Sequence, residues 1–171
     1  MTEIIFKLRC KNEAYVISVI RNALDSFQIK EKIKLIIIKR DKRIGNDINV
    51  DYSKLDSGKI IISFGNGKRI TKVSIFHELG HAWDAIKNGL DFSHDKFSKK
   101  QHMIGGMIVN LSLDGRLEKM GLPHFSKTER FKLFRQVNKK FNLGLAKSDF
   151  SKLWGADLKK KDVMKILNKY K

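Results

Sequence analysis

The residues best equipped for chemistry in this chain stand in one run, His77-Glu78-Leu79-Gly80-His81. The run has the form H-E-x-x-H, inside a segment whose apolar residues recur at helical spacing. On a helix, positions four apart share a face one turn apart, so His77 and His81 can offer two imidazoles to a single metal ion. Glu78 is offset by one residue and leans toward the open side of such an ion. A carboxylate there can take a proton from a water that the metal activates. Val73, Phe76, Leu79, Ala82, Trp83 and Ile86 surround the run with apolar side chains. Gly80 shares the face of the histidines, where a missing side chain lets a neighbouring element come close. Without a metal, the same residues reduce to two core or surface histidines beside a solvated glutamate.

The stretch from Val73 to Asp84, V-S-I-F-H-E-L-G-H-A-W-D, resembles the active-site helix of the zincin metallopeptidases. The resemblance implies a zinc-dependent peptidase in which His77 and His81 ligate Zn2+ and Glu78 acts as general base. It also implies a third protein ligand further along the chain. Metzincins extend the motif with glycine and histidine where this chain has Asp84 and Lys87, so that class does not fit. In gluzincin-like enzymes the third ligand is a carboxylate on a later helix, followed one turn on by a supporting acid. Asn110, Asp114 and Glu118 stand at i, i+4 and i+8 in an otherwise apolar helical segment, on one face. An acid buried among apolar neighbours needs a partner cation, and a metal can provide one. Asp114 is therefore the expected third ligand and Glu118 its outer-shell support.

Two alternatives stay open at this point. Glu118 could itself be the ligand, or Asp114 and Glu118 could form a wet pair answering Arg116 and Lys119. A SprT-like protease, acting on proteins bound to nucleic acid, would instead use a histidine soon after the motif. Ser93-His94-Asp95-Lys96-Phe97 lies near that position, which makes His94 the candidate. Asp84 could receive a ligand imidazole N–H or cap a surface turn. His102 and His124 are possible substrate-side donors, and Tyr15, Tyr52 and Arg116 possible oxyanion partners.

Length and charge bound the rest. At 171 residues the chain is long enough for a core without staples and reads as a single domain, 1–171. One cysteine, Cys10, excludes an internal disulfide framework and fits a reducing compartment. No signal-peptide pattern or membrane-length apolar run is visible, so a soluble, cytoplasmic protein with no membrane partner is expected. With 36 basic and 18 acidic residues the net charge is +18. Residues 125–171 supply over half of that excess. Such a basic part would attract polyanions, nucleic acid among them, unless the lysines merely reflect a lysine-rich composition. Besides a peptidase with protein or peptide substrates, a non-catalytic, metal-stabilised nucleic-acid-binding protein fits the same features.

The elements that must position these residues follow from periodicity. Residues 2–9 and 33–39 read as strands, with an amphipathic helix from Glu13 to Phe27 between them. Arg40 to Asn49 reads as a turn and 59–64 as a strand, closed by Gly65-Asn66-Gly67. The motif helix runs from about Ile70 to Lys87, capped by Asn88-Gly89. After an irregular segment, a third helix runs from near Met103 to a stop at Gly121 and Pro123. Two or three basic helices, near 126–140 and 156–170, complete the chain. The pattern is α+β: a small zincin-like sheet packed on the motif helix, with a mostly helical C-terminal half. The resemblance places strand 59–64 at a sheet edge, able to pair with extended substrate.

Overall fold

Four short β-branched or apolar segments pair into one sheet in a computed structural model of the chain, which describes residues 2–8, 12–44, 48–51, 53–65, 70–92 and 95–170. The strands are β1 (Glu3–Lys7), β2 (Leu35–Arg40), β3 (Ile48–Asp51) and β4 (Lys59–Phe64). Their order is β1-β2-β4-β3. β1 and β4 both run parallel to β2, while β3 is antiparallel to β4. Parallel neighbours need a crossover, and helix α1 (Glu13–Ser26) makes the one from β1 to β2. In register, Ile36 sits beside Ile60 and Ile38 beside Ile62. These four side chains and Phe64 are at most 1% exposed and form the sheet's contribution to the core.

Two expectations change here. The segment read as a turn from Arg40 to Asn49 ends in a strand, β3, because Ile48 and Val50 alternate with the exposed Asn49 and Asp51. Four residues are too few to give a strong period-2 signal in the sequence. As a result β4, expected at the edge, is an inner strand flanked by β2 and β3. β3 holds the edge instead.

The chain divides into two compact units, Met1–Ile86 and Lys87–Lys171. The first holds the sheet, α1 and nearly all of α2 (Lys72–Asn88). The second is helical: α3 (Lys99–Lys119), α4 (Lys127–Phe141), α5 (Lys147–Leu153) and α6 (Lys160–Leu167). The α+β class is as expected, and the helical part begins well before the basic stretch at 125. α3 starts four residues earlier than the apolar pattern implied. Ser98 accepts from the Gln101 N–H at 3.2 Å and the Gln101 side chain accepts from the Ser98 N–H at 3.0 Å, a reciprocal cap. The expected helix at 156–170 is trimmed to α6 plus a closing 3₁₀ turn, and α5 occupies ground read as connection. Cys10, Tyr52 and His94 lie outside the described residues.

α3 is the axis of the helical unit. Ile104, Ile108, Leu111, Phe134, Val137, Phe150, Trp154, Val163 and Leu167 bury around it. The turn after α5 presses against it, with the Gly155 N–H donating to Leu111 O at 3.1 Å and Ser112 Oγ to Ala156 O at 2.6 Å. That approach requires Gly115, since a Cβ there would lie 2.2 Å from the Gly155 nitrogen. Gly115→Ala should therefore lower stability by about 1–3 kcal/mol or more. Gly106→Ala, whose added Cβ meets nothing within 4 Å, should be neutral or stabilising by up to about 1 kcal/mol through helix propensity. Urea denaturation of the two variants checks this, and equal midpoints would contradict it.

Candidate metal centre

Thr71 opens α2. Its Oγ1 accepts from the Ser74 N–H at 3.0 Å, and the Thr71 N–H donates to Ser74 Oγ at 2.9 Å. Two otherwise orphaned donors of the first turn are thus satisfied reciprocally, which fixes where the helix begins. Its rotation is set by aromatic packing. Phe27, the residue that ends α1, stacks on Trp83 with ring centroids 5.3 Å apart and meets Phe76 edge-on at 5.9 Å. Phe76, Leu79, Ala82 and Trp83 are turned into the core and are 7% exposed or less.

With that face committed, the other side of α2 carries polar groups in a row: Ser74, His77, His81, Asp84 and Asn88, at spacings of three and four. Most of this row is buried as well, with Ser74, His77, Asp84 and Asn88 at 6% exposure or less. Asp84 is 1% exposed, so the surface-turn reading of it does not hold. Buried polar side chains carry a desolvation cost that is tolerated only where each finds a partner.

Within this row the two motif histidines converge. Their Nε2 atoms are 3.1 Å apart and the rings are nearly perpendicular, at 85° with centroids 4.7 Å apart. A tetrahedral zinc ion with bonds of about 2.0–2.1 Å would separate two ligand nitrogens by roughly 3.3 Å. The pair is thus spaced as two ligands of one ion are, and imidazole nitrogen is a donor that zinc favours. Glu78, next in sequence to His77, is 6% exposed. A carboxylate shielded from bulk water in this way is a stronger electrostatic partner for any cation beside it. Among the described residues, no group of three or more His, Cys, Asp and Glu side chains that could hold a metal is gathered.

The expected third ligand belongs to the second unit. Asp114 is fully buried. Its Oδ2 accepts a charge-assisted bond from Arg130 Nε on α4, and its Oδ1 accepts from the Phe125 N–H at 3.2 Å. The cation that burial demands is therefore present as Arg130, which also lies over the Phe125 ring at 4.5 Å. Burial by itself no longer calls for a metal at Asp114, and its ligand role rests on resemblance in chain order. The wet-face alternative fails for Asp114. Asp114 is not on a wet face at all, and the cation on its Oδ2 is Arg130. Glu118 has a side chain 45% exposed and accepts from Trp154 Nε1 at 2.8 Å. Periodicity could not reveal Arg130, because the pairing joins two helices through tertiary contact.

His102 is exposed, with its ring edge-on to Phe97 at 5.4 Å. His124 Nδ1 lies 2.8 Å from Leu122 O. Tyr15 is 47% exposed on α1. No known protein family, curated protein or solved structure matches the chain.

Asp114→Asn keeps the shape of the side chain but leaves Arg130 without its countercharge. A loss of about 3–5 kcal/mol is expected from orphaning a buried charge, with partial recovery in the Asp114→Asn/Arg130→Met double variant. Chemical denaturation of the three proteins provides the check. A double variant no better than the single would mean that the charge pair is not what the substitution disturbs.

Proposed function

We propose that the chain is a zinc-dependent metallopeptidase of zincin type. The single observation that carries the reading is the convergence of His77 and His81 Nε2 at 3.1 Å, with Glu78 buried beside them. His77 and His81 would hold the ion through neutral imidazole, and Asp114 is proposed as third ligand on the resemblance in chain order alone. Zinc, when bound, would supply Lewis acidity toward a water and toward the scissile carbonyl. Glu78 accepts the proton of the attacking water and returns it to the leaving amine. A purely structural site has no need of a base at that position, so Glu78 weighs against the non-catalytic alternative.

The edge of the sheet offers a place for substrate backbone. β3, last in the strand order, pairs with β4 and with no other strand among the described residues. An extended peptide adding there would gain main-chain hydrogen bonds without a requirement for sequence, which suits a protein or peptide substrate. No helix among the described residues is long and apolar enough to cross a membrane.

Glu78→Gln should retain zinc while losing hydrolysis by several orders of magnitude, because an amide cannot accept the proton. His77→Ala and His81→Ala should lose both. Zinc by elemental analysis, alongside cleavage of a casein-type substrate, separates these outcomes. Equal cleavage by wild type and Glu78→Gln would defeat the peptidase reading.

A further inference from the structure

The positive charge is not shared evenly. The first unit carries 16 basic and 10 acidic residues, net +6, and the second, of almost equal length, 20 and 8, net +12. A composition bias acting on the whole chain would load both alike. The acids of the second unit are, moreover, already committed. Glu129, Asp149 and Asp162 accept from the backbone N–H groups of Ser126, Ala146 and Lys159, the residues that cap the starts of α4, α5 and α6. Asp114 holds Arg130, Asp95 contacts Lys160 at 2.6 Å and Glu118 accepts from Trp154. Hydrogen bonds from Ser126 hold the Glu129 carboxyl below its ordinary range, so it stays ionised in that cap. Three of the four helix starts in this unit take an anion and that of α3 does not, while Lys139, Lys140, Lys165 and Lys169 stand at or just past helix ends.

Two of those ends meet at the start of α3. Lys140, in the last turn of α4, reaches Met103 Sδ at 3.6 Å, and Lys100 lies over the ring of Tyr170 at 5.8 Å. Lys99, Lys140 and Lys169 are exposed there, and the first turn of α3 has no acid. Two cationic rows lead toward this end. On α4, Lys132, Arg135 and Lys139 stand at i, i+3 and i+7. On α6 and the turn after it, Lys161, Lys165 and Lys169 stand at i, i+4 and i+8. All six are exposed. Each row is about 10–12 Å long at 1.5 Å per residue, enough to follow two or so phosphates of an extended strand.

From this arrangement we infer that the end of the helical unit formed by Lys99, Lys100, Lys140, Lys169 and Tyr170 binds the backbone of single-stranded nucleic acid. A positively charged track with aromatic rings beside it is the combination such strands require, phosphates meeting lysines and a base stacking on a ring. Tyr170 and Phe141, each beside lysines in the sequence and within 6 Å of a lysine ammonium, supply the rings. An anionic membrane would call for exposed apolar anchors at the same place. Among the described residues the large exposed hydrophobics are Tyr15 and Met120, neither of them in this group. The inference is independent of the peptidase reading, since it uses no residue of the metal site.

The test is fluorescence anisotropy of a labelled oligothymidylate with the full chain, measured across a salt series. The triple variant Lys99→Glu/Lys140→Glu/Lys169→Glu should bind at least tenfold more weakly. Its log–log salt slope should be smaller by about 2, at roughly 0.7 for each phosphate no longer neutralised. Tyr170→Ser should weaken binding severalfold with little change in slope. A control reversal in the first unit, at the exposed Lys30, Lys32 and Lys54, should change affinity less than threefold. Peptide hydrolysis by the triple variant should match wild type. No effect of the triple variant, an equal effect of the control, or tighter binding to phosphatidylserine vesicles than to the oligonucleotide would each overturn the assignment.

Discussion

The stacking of Phe27 on Trp83, with Phe76 edge-on to Phe27, is the contact on which the candidate site depends. It fixes the rotation of α2 about its own axis. Phe76 and His77 are neighbours in sequence, about 100° apart around a helix, so committing one to the core aims the other away from it. The Thr71–Ser74 cap fixes the axial start of the same helix. Rotation and start together determine where His77 and His81 present their nitrogens. Loss of the aromatic wedge would free the helix to turn, and a rotation of a few tens of degrees would misdirect both imidazoles. A site of this kind is only as good as the packing behind it.

Much of this was legible in the sequence because its signals are local. The four-residue spacing of His77 and His81 and the apolar face behind them are properties of one helix, and helical periodicity exposes them. The parallel strand pair β2 and β4 is visible for a similar reason, as β-branched runs buried over much of their length. β3 escaped because four residues with two exposed polar side chains resemble a turn. The start of α3 had a readable signal, Ser98 followed three residues later by Gln101, but the apolar pattern beginning near Met103 outweighed it. Asp114 shows where such reading ends. Its neighbours reveal that it is buried, and burial reveals that it needs a cation. Which cation answers, Arg130 sixteen residues away, is decided by how two helices pack.

The two units use charge in opposite ways. In the first, the motif helix buries ionisable groups of both kinds, His77, Glu78 and Asp84. In the second, acids are consumed at helix starts and in internal pairs, as the helix dipole favours, and lysines are left to the solvent. The result is a surface whose sign follows from capping chemistry as much as from composition.

Joint ligation of one zinc ion by His77 and His81 is open to X-ray absorption at the zinc edge of metal-loaded protein. Two imidazole nitrogens at about 2.0–2.1 Å are expected, with the remaining ligands oxygen. A spectrum without imidazole scattering, or one unchanged by His77→Ala, would rule joint ligation out.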